Sequence, residues 1–228
     1  MKGSHGDFRD RYLRAVLDRD RAKAESVVDC MIGGGQPLLA IFETLGEAQV
    51  QIGTLWEEKT ISVADEHFAT DTTMEMIGKA ARRLKVQGGV RRGSAVVLNC
   101  VEGEFHYVGL RMFAFLLSSE GWDVEFVERS LSLPRVLEYL KGLGRKFDLV
   151  CLTFTMEYNI GSVVSTLKSL RADPLFKDAV IVVGSRLLRS KRNREMVTGA
   201  TSKERLADYC SPSLRDGLAF VNGTKGAN

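Results

Sequence analysis

A chain of 228 residues has room for one large domain or two small ones, each able to bury its own core. Hydrophobic content of 44% and charged content of 27% are ordinary for a globular protein, and a formal charge of +3 is too small to argue for nucleic acid. No apolar run approaches the ~20 residues of a membrane span, and the start, MKGSHGDFRDRYLRAV, lacks a signal peptide's apolar stretch; a cytoplasmic protein is expected.

Residues 7 to 86 read as helices with no strand signal. From Phe8 through Tyr12, Val16, Leu17, Ala24, Val27 and Val28 to Met31, apolar residues recur at three- and four-residue steps, as one helix face would. Gly33-Gly34-Gly35 breaks the pattern and Pro37 suits the first turn of the next helix, 37–57. Ser62, with Asp65 three residues on, nearly matches a capping box opening a long helix to Leu84. The expected unit is a four-helix bundle over residues 1–88.

After the Gly- and Arg-rich stretch 87–93 the texture alternates. Strand-like runs at Ser94–Cys100, Asp123–Val127, Asp148–Thr153 and Ala179–Val183 are separated by helical patterns at Tyr107–Ser119, Leu133–Leu143 and Ile160–Leu170, with another helix from Lys191. A short fifth strand at Ala207–Cys210 precedes a last helix, Pro212–Phe220. Near-continuous Val, Leu and Ile runs between amphipathic helices imply a parallel sheet covered on both faces. The expected fold class is α/β: the bundle, then a doubly wound, Rossmann-like domain over 89–228. Ligands of such sheets sit beyond the C-terminal strand ends, so the loops after Cys100, Thr153 and Val183 are the places to look.

The four cysteines (Cys30, Cys100, Cys151, Cys210) form no CxxC or CxxH, and buried free thiols are expected at Cys100 and Cys151. Arg186, Arg189, Lys191, Arg192 and Arg194 cluster within nine residues, as a patch for phosphate or an acidic partner or as a solvated helix start.

The loop after the first strand runs Glu104-x-His106-x-x-Gly109. A neutral imidazole is a good transition-metal ligand, and a carboxylate on its other nitrogen fixes the tautomer and raises its basicity. Gly109 lets a bulky group approach the helix start. One histidine cannot hold a bare ion, so the metal must bring most of its own ligands, as a corrin ring does.

Here the sequence resembles the cobalamin-binding domains. Glu104-x-His106-x-x-Gly109 is a Glu-for-Asp version of their D-x-H-x-x-G motif, in which the histidine replaces the nucleotide base as lower axial ligand of cobalt. Thr153-Phe154-Thr155 stands where the family has S-x-L or S-x-T, with hydroxyls for the nucleotide tail, and Gly184-Ser185 stands for its G-G pair. In the helical half, Trp56 with Glu66 and His67 resembles the W-x9-E-H cap signature of cobalamin-dependent photoreceptor regulators of the CarH/AerR type, where the tryptophan lies over the upper ligand. Taken singly, Trp56 also fits a core aromatic, His67 a surface or capping histidine and Glu66 an exposed helix position. Where light-responsive relatives place a cobalt-capturing histidine after the tryptophan, this chain has Glu57, which leaves His67 as the imidazole for an upper axial position.

The resemblance implies cobalamin in its adenosyl-, methyl- or hydroxo- form, admits a bilin as second chromophore, and points to a light- or ligand-responsive regulator. With the first cap helix starting within ten residues and no helix-turn-helix before it, a regulatory protein partner or homo-oligomer is expected, with no direct DNA binding and no membrane. The alternative is a corrinoid methyl carrier of a methyltransferase system, which shares the cap-plus-Rossmann architecture. A third class, an α/β domain binding a nucleotide or protein without corrinoid, requires these motif matches to be coincidental. No nucleophile–base pairing marks an enzyme with a complete active site.

Overall fold

The computed structural model describes residues 4–84, 92–98, 104, 106–127, 132–200 and 202–224. It divides into two compact units, Met1–Gln87 and Gly88–Asn228.

The first unit contains helices α1 (His5–Leu17), α2 (Arg21–Gly33), α3 (Leu38–Glu57) and α4 (Val63–Arg83). The periodic run from Phe8 to Met31 is therefore two helices rather than one. Arg19 takes a φ of 55°, and the Asp20 carboxylate starts α2 by accepting the Lys23 N–H at 2.9 Å. The break escapes the periodicity because Val16 and Ala24 lie about two helical turns apart, so the apolar stripe stays in phase across it. Tyr12, Met31, Ile41, Phe42, Leu45, Ile52, Met76 and Ile77 fill the core. The buried Tyr12 hydroxyl is satisfied by Thr73 Oγ1 at 2.9 Å. At the start of α4 the expected capping box is complete: Ser62 Oγ accepts from the Asp65 N–H while the Asp65 carboxylate accepts from the Ser62 N–H.

The second unit is an α/β fold with five parallel strands in the order β2-β1-β3-β4-β5. They are β1 (Gly93–Leu98), β2 (Trp122–Val127), β3 (Leu149–Thr153), β4 (Val180–Gly184) and β5 (Tyr209–Ser211). The helices are α5 (Val108–Ser119), α6 (Leu133–Gly142), α7 (Ile160–Ala172), α8 (Lys191–Thr198) and α9 (Leu214–Gly223), with 3₁₀ turns at Glu157–Asn159 and Arg186–Arg189. Alternate strand residues Val96, Leu98, Val150, Leu152, Ile181 and Val183 form one core with Val136 and Leu140 of α6, Val163 and Leu167 of α7, and Val197 of α8. On α5 and α9, Phe113 and Gly217 meet so closely that a Cβ on Gly217 would lie 3.2 Å from the ring. The doubly wound, Rossmann-like fold class expected from the sequence is the one observed. At the end of α8, Gly199 takes φ 79°, the left-handed conformation that lets the chain reverse. Among the described residues no helix is long and apolar enough to cross a membrane.

Candidate functional site

From β1 the chain goes outward to the edge strand β2, then crosses back to β3 on the other side of β1 and on to β4 and β5, so the winding reverses between β1 and β3. That is where a parallel sheet opens a crevice for ligands. The two strands are adjacent, with Leu98 opposite Leu152. Their C-terminal loops deliver Glu104 and His106 from one side, Thr155 and Asn159 from the other.

Glu104 organises this junction. It is 1% exposed. Its Oε1 accepts the His106 backbone N–H at 2.9 Å and lies 2.5 Å from His106 Nδ1. Its Oε2 accepts the Thr155 N–H at 2.8 Å and Asn159 Nδ2 at 3.1 Å. Burial pushes the carboxyl's pKa up, but the hydrogen bonds from the His106 ring, the Thr155 N–H and the His106 N–H outweigh it and hold the group near 2. Glu104 is thus ionised at neutral pH and only accepts. The proton of a neutral His106 must then sit on Nδ1, which places the ring's lone pair on Nε2. The His106 side chain is 56% exposed, so an anchored, tautomer-fixed imidazole stands at the crevice.

The surrounding residues suit a large ligand that carries its own metal. Among the described residues no three His, Cys, Asp or Glu side chains gather into a bare-ion site. Thr153, the last residue of β3, has a buried Oγ1 with no hydrogen-bond partner, a vacancy that a ligand donor or acceptor would fill. Thr155 is exposed, and a Cβ on Gly109 would meet nothing within 4 Å, so the start of α5 is open. Gly184 is set by packing: it pairs with Thr153, and a Cβ there would lie 3.3 Å from the Thr153 methyl. Ser185 Oγ accepts the Leu187 N–H at 3.2 Å and so caps the following turn.

In the helical unit, Trp56 sits in the last turn of α3 and is 44% exposed, which excludes its reading as a core aromatic. Glu66 and His67 open α4. Glu66 Oε1 accepts Thr70 Oγ1 at 2.8 Å, and Thr70 in turn accepts Gln49 Nε2 at 2.9 Å. His67, with a side chain 73% exposed, has Nε2 3.6 Å from the Glu66 carboxylate.

Other features singled out in the sequence resolve differently. All five residues of the basic cluster are exposed, and the Arg194 guanidinium also donates to the Leu188 and Arg189 carbonyls at 2.8 and 2.9 Å. Cys151 and Cys210 are buried free thiols, and burial pushes Cys210 up to about 11. Cys100 lies outside the described residues. The residue missed by sequence reasoning is Asn159, which reaches Glu104 across 55 positions. Its only local signal is a helix-start asparagine two residues past a loop glutamate.

The chain is similar to several known proteins. Residues 8–79 match the family model described as B12 binding domain. Dimethylamine corrinoid protein 2 of Methanosarcina acetivorans is 20% identical over 178 residues, covering 78% of this chain and 80% of that protein. The structure of the monomethylamine corrinoid protein of Methanosarcina barkeri superposes with a TM-score of 0.73 at 16% identity, covering 96% of this chain and 98% of that one. A methanol:cobalamin methyltransferase complex from Methanosarcina barkeri aligns at a TM-score of 0.44 and 15% identity, covering 96% and 81%. The helical unit thus matches a B12 binding domain model, and the chain has the α/β fold of a corrinoid protein structure. The expectation of a regulatory partner or homo-oligomer is overturned, because the relative found by sequence is a dimethylamine corrinoid protein and not a regulator. These relatives are corrinoid proteins and not photoreceptors, so the expected photoreceptor kinship is not supported.

Proposed function

We propose that this chain is a corrinoid methyl carrier, which holds cobalamin through His106 and presents it to methyltransferase partners. The observation that carries the proposal is the Glu104–His106 pair at the β1/β3 crevice: a buried, ionised carboxylate fixing an exposed imidazole in the tautomer whose Nε2 can bind cobalt. When bound, cobalamin supplies the cobalt at which a methyl group is held between donor and acceptor. The chain's own residues bind and orient. His106 provides the lower ligand, and Glu104 keeps its proton on Nδ1. The orphaned Thr153 hydroxyl, with Thr155, meets the nucleotide tail, and Gly109, Gly184 and Ser185 keep the approach small. Trp56, Glu66 and His67 form a second set of cobalamin contacts, offered by the exposed ends of α3 and α4.

The likeness of fold and of sequence to methylamine corrinoid proteins supports the carrier role and a methyltransferase as partner. The test is methyl transfer in the dark. Protein loaded with methylcobalamin is mixed with a corrinoid-dependent methyltransferase and its thiol acceptor, and the cofactor's absorption is followed. Loss of the methyl group in the dark, faster than from free methylcobalamin, is expected. A cofactor that keeps its methyl group in the dark, with light instead changing the protein's size, would point to the sensor.

A further inference from the structure

Residues 185–194 read SRLLRSKRNR, a run of cations with no carboxylate among them. They form the 3₁₀ turn Arg186–Arg189 and the start of α8, directly after β4. Side chains three apart in a 3₁₀ turn eclipse, so Arg186 and Arg189 share a face. Lys191 and Arg192 stand in the first turn of α8, where the helix dipole disfavours a cation. Lys191 has the Glu195 carboxylate at 3.7 Å, and Arg194 turns back onto backbone carbonyls. Arg186, Arg189 and Arg192 are exposed and have no carboxylate partner among the described residues. Uncompensated like charges do not stabilise the fold, yet the frame beneath them is firm. Leu188 is fully buried, Asn193 Nδ2 donates to the Leu187 carbonyl at 3.0 Å, and Arg194 ties the turn to the helix.

We propose that Arg186, Arg189 and Arg192 form a docking surface for a carboxylate-rich face of the methyltransferase partner. The proposal rests on the carrier reading. Gly184, two residues before Arg186, pairs with Thr153 at the end of β3, so the arginines leave the sheet at the same edge as the crevice. A protein docked on them lies beside the cofactor. A phosphate ion calls for cations converging on one point, whereas these are spread over a turn and a helix, as a row of carboxylates requires. The loop after β3 adds Tyr158, 73% exposed. Tyrosine and arginine are the residues that anchor protein interfaces, and a free anion gains nothing from the ring. Exposed charges act mainly on the rate of association and its salt dependence. That suits a carrier, which must find its partner quickly and leave after each transfer.

The test measures methyl transfer in the dark from methylcobalamin-loaded protein to a thiol by a corrinoid-dependent methyltransferase, across a range of salt. The triple variant Arg186→Glu/Arg189→Glu/Arg192→Glu is compared with Lys146→Glu/Lys177→Glu/Lys203→Glu. The second makes an equal change of charge at exposed sites ahead of β3, β4 and β5, on the opposite edge of the sheet. Electrostatic steering raises association ~10–10³-fold, so the arginine variant should lower kcat/KM at low salt by at least ~10-fold. It should leave kcat unchanged and lose most of the salt dependence of wild type, while the lysine variant stays near wild type. Wild-type kcat/KM and salt dependence in the arginine variant overturn the proposal. An equal fall in the lysine variant overturns it too, since net charge would then be the cause. Unchanged transfer with weaker hydroxocobalamin binding would assign the arginines to the cofactor's own phosphate and overturn it as well. If wild type itself transfers no methyl group, the carrier reading has failed and the docking surface falls with it. Should the arginine variant not fold, glutamine at the same three positions should give a smaller fall in the same direction, and no fall overturns the proposal.

Discussion

Replacing Glu104 by glutamine changes one atom and should cost both stability and cofactor affinity. Among the described residues the glutamate sets two acceptor oxygens against four donors: the His106 N–H, His106 Nδ1, the Thr155 N–H and Asn159 Nδ2, at 2.9, 2.5, 2.8 and 3.1 Å. Glutamine offers one oxygen and one NH2, so whichever way the amide turns, two of the four donors meet another donor. Hydrogen bonds to a charged group contribute about 1.5–3 kcal/mol each, which sets a gross loss of about 3–6 kcal/mol. The chain can recover part of this by rotating the amide NH2 toward His106 and moving the ring proton to Nε2, so that Nδ1 accepts. We therefore expect a net destabilisation of about 1–3 kcal/mol, within the range for leaving one buried donor unsatisfied. The recovery has a functional consequence. With the proton on Nε2 the imidazole no longer presents its lone pair there, and affinity for hydroxocobalamin should fall ~10–100-fold. Urea denaturation of the cofactor-free protein followed by circular dichroism gives the first quantity, and spectrophotometric titration the second. A Glu104→Gln protein with the wild-type midpoint and dissociation constant would refute the clamp.

Three further outcomes follow from particular contacts. The Ser62 side chain, and then Arg19, hold the Asp65 carboxyl near 2, below its ordinary 3.8. A depressed carboxyl contributes stability that is present above its unfolded value and lost as pH falls through the folded one. The helical signal should thus fall more steeply between pH 3.8 and 2 in wild type than in Asp65→Asn; identical acid curves would remove the capping box from the account. At Gly199, an added Cβ would overlap the Glu204 carbonyl oxygen at a φ of 79°. Gly199→Ala should cost about 2–4 kcal/mol, combining left-handed strain with overpacking, and an unshifted urea midpoint would contradict it. Trp56 is exposed, so Trp56→Ala should leave the melting curve within the ~0.5 kcal/mol of an ordinary surface change yet weaken cobalamin binding. A large loss of stability with unchanged binding would make it a packing residue after all.

The sheet was legible because its strands are buried on both faces and announce themselves as unbroken Val, Leu and Ile runs at β1, β3 and β4. The start of α4 was legible because a capping box is local, Ser62 and Asp65 lying within one turn. What escaped was long-range or masked by phase. The α1–α2 break hides behind an apolar stripe that continues across Asp18-Arg19-Asp20. Glu104 and His106 were visible as a spaced pair, but no pattern announces that Oε2 is held from the β3–α7 loop, since a backbone N–H carries no sequence signature and Asn159 lies 55 positions away. Nor can composition show the Arg194 guanidinium folding back onto carbonyls of its own chain. The W-x9-E-H spacing drew the partner expectation toward regulators, although exposed residues at two helix ends say what is offered to a ligand and nothing of who docks there.

The most direct test is the identity of the nitrogen beneath cobalt. Protein grown with 15N-histidine is loaded with cobalamin, reduced to the cobalt(II) state and examined by electron paramagnetic resonance. Nitrogen-14 on the axis splits each cobalt line into three, and nitrogen-15 into two. The account predicts two-fold splitting in wild type, lost in His106→Ala with His5 and His67 still labelled. Three-fold splitting in the labelled wild type, as from the cofactor's own unlabelled base, would contradict it.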